Sequence, residues 1–131
     1  MKRPEDVLQK SVVDHLELIE RIEPGFWFCA IPNAGKRSYK TAAREKAMGL
    51  RAGAPDIHFC WNGRAHYIEL KAPGSIVGKR KVKDHRSEAQ KAVHTRITIA
   101  GGAVVTLDSW DNVRGFLDCC GVPRLSNLVA E

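Results

Sequence analysis

The dipeptide Asn62-Gly63 stands between two runs rich in β-branched and aromatic residues, Pro55 to Trp61 and Arg64 to Ala72, and it constrains this chain more than any other feature. Asn-Gly suits the two positive-φ positions of a type I′ turn, which joins antiparallel strands with only two residues. Trp61 then pairs with Arg64, and each cross-strand pair further out follows in register, so that Asp56 faces Glu69. Side chains alternate along a strand. Asp56, His58, Cys60, Tyr67, Glu69 and Lys71 therefore share one face, while Ile57, Phe59, Trp61, Ile68 and Leu70 form a core face on the other.

Directly opposed residues have Cβ atoms about 4.5–5.5 Å apart. Two carboxylates at that separation repel by roughly 3 kcal/mol at an effective dielectric of 20, so something must offset the repulsion. One reading is that Lys71 and solvent neutralise the pair at a frayed hairpin end. The other is that Asp56 and Glu69 hold a hard divalent cation such as Mg2+, which takes few protein ligands and keeps several waters. Lys71, two residues beyond Glu69 on the same face, could then stabilise the hydroxide or the developing phosphorane charge. His58 shares this face and reads as an ordinary strand histidine.

The rest of the chain supplies elements to cover both faces. Pro4 is a favoured first helical residue, and Leu8, Val12, Leu16 and Ile19 recur at helical spacing to define one buried face ending at Glu23-Pro24-Gly25. Glu5 lies on that inward stripe, either as a first-turn acid compensating the helix dipole or as a functional group. Phe26 to Ile31 reads as a short buried strand closed by a turn at Pro32-Asn33-Ala34-Gly35. Ser38 can cap a second helix from Tyr39 to Met48, ended by Gly49. Pro73 to Arg86 is expected to be a mobile loop. Ser87-Glu88-Ala89-Gln90 fits a capping box opening a third helix with Val93 and Ile97 inward. Ala103 to Leu107 is a further buried strand. A last helix carries Trp110, Val113, Phe116 and Leu117 behind Ser109, and a loosely held tail follows Gly121-Val122-Pro123. The expected order is α-β-α-β-β-α-β-α, an α/β fold with a mixed sheet flanked by helices.

At 131 residues this is the length of one domain, with a core over about residues 5–117 and a tail at 118–131. No apolar run is long enough to span a membrane, and no apolar leader segment precedes the first amphipathic helix, so a cytoplasmic location is expected. Cys29, Cys60, Cys119 and Cys120 show no zinc-ligand spacing and read as reduced, buried thiols. A formal net charge of +6 points towards a polyanion, most often nucleic acid.

Several motifs together carry a family resemblance. Pro55-Asp56, the hairpin and Glu69-Leu70-Lys71 resemble the PD-(D/E)XK nuclease signature. With the Glu5 helix, Gly49-Leu50-Arg51-Ala52-Gly53-Ala54, Gly74, and Ser87-Glu88-Ala89-Gln90 before Gly101-Gly102, the chain resembles the VRR-NUC branch of that superfamily in its stand-alone phage and bacterial form. The resemblance runs from Glu5 to about Phe116. It implies a restriction-endonuclease-like fold and DNA phosphodiester hydrolysis with Mg2+ or Mn2+. It further implies Asp56 and Glu69 as metal-binding acids, the Leu70 carbonyl as a further ligand, Lys71 as the catalytic lysine, and Glu5 and Gln90 as additional active-site residues. Gln90 also has its place in the capping box, and both roles are open. A homodimer acting on branched DNA, such as flaps or four-way Holliday junctions, is what stand-alone members suggest.

Phosphodiester cleavage needs the strand held in line with the attacking water, which organised basic residues can do. Lys36, Arg37, Lys40, Arg44 and Arg51 flank or lie on the second helix, and Lys79, Arg80, Lys81, Lys83 and Arg86 crowd the loop after the Lys71 strand. Trp27, Trp61 and Trp110 read as core or interface residues. Competing readings are a DNA-binding scaffold that needs a partner to cut, and a metal-free RNA-binding module that would leave the facing carboxylates without purpose.

Overall fold

The structure is a computed structural model that describes residues 3–32, 39–76 and 86–125. Its elements follow the expected order: α1 (Pro4–Ile22), β1 (Trp27–Ala30), α2 (Tyr39–Ala47), β2 (Ile57–Trp61), β3 (Arg64–Leu70), α3 (Glu88–Ile99), β4 (Ala103–Leu107) and α4 (Trp110–Cys119). The four strands form one mixed sheet in the order β1-β2-β3-β4. The first three run antiparallel, and β4 lies parallel to β3 because the α3 crossover returns the chain in the same direction.

The hairpin has the register that its turn dictates. Asn62 and Gly63 both take positive φ, 53° and 72°, as a type I′ turn requires. Trp61 pairs with Arg64 and Ile57 with Ile68. Ile57, Phe59, Ile68 and Leu70 are buried together with Leu8, Val12, Leu16 and Ile19 of α1 and Val113 and Leu117 of α4. One face of the sheet thus packs on α1 and α4. Burial of four fully covered aliphatic side chains from α1 alone contributes on the order of 6–12 kcal/mol before entropy is set against it.

The opposite face meets α3, and here several expectations need correction. Val93 and Ile97 are only half-buried, and His94 is the residue of α3 that is buried. The reason lies beneath the helix: the strand below presents Glu69, which a polar ring faces better than the aliphatic Val93 and Ile97 on either side of it. Towards the β1 edge this face has less cover. Trp27 is 52% exposed and packs edge-on against His58, which stacks on Tyr67 at 4.7 Å, so of the core and interface readings the core one does not hold for Trp27. The thiols are free but not uniformly buried, since Cys60 and Cys119 are exposed and Cys29 and Cys120 half-buried. The described start of the tail is held, since Val122 joins the core and Arg124 pairs with Asp118 at 2.6 Å, while residues 126–131 lie outside the described residues. The turn at 33–35, the Ser38 cap and most of the 73–86 loop lie outside the described residues.

Candidate active site

Asp56 immediately precedes β2, and its carbonyl accepts a hydrogen bond from the Ile31 amide at 2.8 Å, which anchors it to the end of β1. Its side chain is fixed from the other strand, where Oδ2 accepts the Leu70 amide at 2.7 Å. That bond leaves Oδ1 for another partner. Glu69, facing Asp56 across the hairpin, is only 3% exposed. Its Oε1 has no hydrogen-bond partner among the described residues. Burial first, then a hydrogen bond and charge repulsion from Asp56, push the Glu69 carboxyl up to about 9, against a weaker downward pull from Lys71. Without a cation, this carboxyl keeps its proton at neutral pH.

Lys71 leaves the end of β3, where its amide donates to the Leu107 carbonyl of β4 at 2.9 Å. Its Nζ donates to Gln90 Oε1 at 2.9 Å. The same Gln90 oxygen accepts the Ser87 amide at 2.9 Å, and the Gln90 amide donates to Ser87 Oγ at 3.1 Å, a complete capping box. The capping role of Gln90 does not exclude a role at the cleft. One carbonyl oxygen closes the helix N-terminus and holds the lysine, which is possible because an amide oxygen has two lone pairs.

Glu5, Asp56, Glu69, Leu70, Lys71 and Gln90 all line one polar cleft of about 330 Å³ between the start of α1, the hairpin end and the start of α3. Gln9 and Arg3 line it too, and neither was singled out from the sequence. Gln9 lies one turn beyond Glu5, so the i, i+4 spacing on α1 was its available sign. Glu5 is half-buried and adds a small upward push to the Glu69 carboxyl. His58 lies off the cleft, stacked on Tyr67.

The donor set suits a hard cation. Two carboxylates meet, and one of them carries a buried oxygen with no hydrogen bond and an ionised form that is costly without a positive neighbour. Among the described residues no three His, Cys, Asp or Glu side chains stand close enough to enclose an ion, so any ion here would keep several ligands from water or substrate. Of the basic residues marked for phosphate contact, Lys40, Arg44 and Arg51 are exposed and Arg86 is half-buried. Lys36, Arg37, Lys79, Arg80, Lys81 and Lys83 lie outside the described residues. Among the described residues no helix is long and apolar enough to cross a membrane.

No family model and no curated protein matches this sequence. Among solved structures, one described as a "VRR_NUC domain" aligns with 89% of this chain and 97% of its own length, with a TM-score of 0.52 and 18% sequence identity. At that identity the likeness shows the fold, which is that of a VRR_NUC domain.

Proposed function

We propose that this chain, whose fold is that of a VRR-NUC domain, is a divalent-metal-dependent endonuclease that hydrolyses phosphodiester bonds in branched or otherwise structured DNA. The observation that carries the reading is the meeting of Asp56 and Glu69 across the hairpin, with Lys71 held beside them by Gln90. Asp56 and Glu69, with the Leu70 carbonyl, would hold Mg2+ or Mn2+. A cation bound there supplies Lewis acidity and lowers the pKa of water.

The chain's own groups do the rest. The Leu70 amide holds Asp56 in one rotamer, so its carboxylate is preorganised rather than searched for. Gln90 keeps the Lys71 ammonium at the cleft, where it stabilises negative charge gathering on the phosphorane oxygens. Glu5 adds a further acid on the α1 side of the cleft, beside Asp6. Exposed Lys40, Arg44 and Arg51 on and after α2 would hold the phosphate backbone. A homodimer acting in the cytoplasm would place two such clefts on a substrate with two equivalent cuts.

The test is cleavage of labelled linear duplex, flap and four-way junction with Mg2+, Mn2+ or EDTA. Cutting of the branched substrates, lost with EDTA and with Asp56→Ala while binding persists, is the expected result. Lys71→Ala should cut about 10²–10³-fold more slowly with Mn2+ affinity retained. Binding without cutting under every metal would replace the nuclease with a DNA-binding scaffold.

A further inference from the structure

The buried polar pair on the sheet face opposite α1 and α4 extends the site beyond the residues described so far. His94 lies one helical turn past Gln90, so both project from the same side of α3. Gln90 reaches Lys71, and His94 Nε2 stands 3.7 Å from Glu69 Oε1, with both side chains almost wholly buried at 5% and 4% exposure. On the far side of the ring, Arg86 Nη1 lies 3.2 Å from His94 Nδ1. A guanidinium can only donate, so Nδ1 must accept, and the proton of a neutral ring then sits on Nε2, facing Glu69. The tautomer is thus set from outside the site by an arginine at the foot of α3.

We propose that His94 is a positioning residue for Glu69: its Nε2–H, fixed by Arg86, orients the Glu69 carboxylate towards Asp56 and the cleft. The separation of 3.7 Å is longer than a hydrogen bond, so the ring acts as an oriented dipole that limits where the buried oxygen can turn. An aliphatic side chain at this place on α3 would fill the volume and leave Oε1 with no directing group. Ligating groups are commonly held in this way by a further polar partner, whose loss weakens metal binding. The inference rests on the reading of Glu69 as a cation ligand.

The experiment is calorimetric titration of Mn2+ into wild type, His94→Leu, His94→Gln and Arg86→Ala. Thermal melts in EDTA report whether each variant is folded, and junction binding in EDTA reports the DNA surface. His94→Leu should bind Mn2+ about tenfold more weakly with junction affinity unchanged. His94→Gln, whose amide can place an N–H near the Nε2 position, should recover most of the loss. Arg86→Ala should weaken Mn2+ binding in the same direction. If His94→Leu does not fold, the glutamine and Arg86 variants decide by themselves. Folded His94→Leu that binds Mn2+ like wild type, or equal losses in His94→Leu and His94→Gln, would overturn the proposal and leave the nuclease reading intact. Wild type that binds no Mn2+ would overturn both.

Discussion

Glu69 concentrates the conflict between stability and function at a single residue. In the cation-free protein its carboxyl is pushed up to about 9 from an ordinary 4.5, burial being the largest cause. The folded state therefore holds a proton that the unfolded chain has released. The stability this contributes is fully present below pH 4.5 and is lost as pH rises towards about 9. Melting in EDTA across that window should show wild type falling relative to Glu69→Gln, whose amide stays neutral throughout; parallel curves would contradict the shift. Mn2+ affinity should move the other way and rise with pH, because the ion displaces that proton. Gly53 is a second residue at which position decides. Its φ is +85°, and a Cβ there would run into the Ala89 carbonyl carbon and lie 2.7 Å from the Gln90 amide nitrogen. Gly53→Ala should lose roughly 1–3 kcal/mol in urea denaturation. It should also slow cleavage, since the first turn of α3 carries the oxygen that holds Lys71.

At the scale of elements, the capping box of α3 separates two roles that one side chain combines. Ser87→Ala removes the acceptor for the Gln90 amide and should cost about 1 kcal/mol, while the Gln90 contact to Lys71 survives. Gln90→Ala keeps the backbone N–H to Ser87 Oγ but removes the oxygen that accepts both the Ser87 amide and the Lys71 ammonium, so cleavage should fall about 10–100-fold at a similar cost in stability. Urea denaturation and single-turnover rates on the two variants make the comparison, and equal rates would assign Gln90 to the helix cap alone. The hairpin sets the carboxylate pair in the same sense. Asn62 and Gly63 fix the register with their positive φ values, and a one-residue slip would send one strand's side chains to the opposite face. The β3 to α3 connection is anchored at its start as well. Buried Asp108, just past β4, accepts the Ile76 amide at 2.9 Å, so the chain leaving Lys71 is held against the far edge of the sheet.

For the whole molecule, phosphate contacts should dominate DNA affinity. Junction binding in EDTA should weaken by roughly a thousandfold between about 50 and 200 mM salt, with log affinity linear in log salt concentration. A flat response, measured by fluorescence anisotropy, would remove the basic residues from the interface. Mn2+ at about 100 times its dissociation constant should raise stability by about 2.7 kcal/mol, and Asp56→Ala should abolish that gain in the same melt.

The sequence alone determined the features that rest on local rules. Asn62-Gly63 forced the turn and hence the facing of Asp56 and Glu69. The apolar spacing of α1 named Leu8, Val12, Leu16 and Ile19 as its buried face, and Ser87 to Gln90 marked the cap of α3. Each depends on backbone geometry within a few residues, which residue type specifies directly. Tertiary structure decided what meets across elements. Only packing could put His94 of α3 over Glu69 of β3, bring Gln9 of α1 and the N-cap residue Arg3 to the cleft, and leave Trp27 exposed at the sheet edge. Helical periodicity identifies a face to be covered, but the polarity of that face is set by what lies beneath it. Beneath α3 lies a buried carboxylate, which is why His94 is the buried residue of a helix expected to turn Val93 and Ile97 inward.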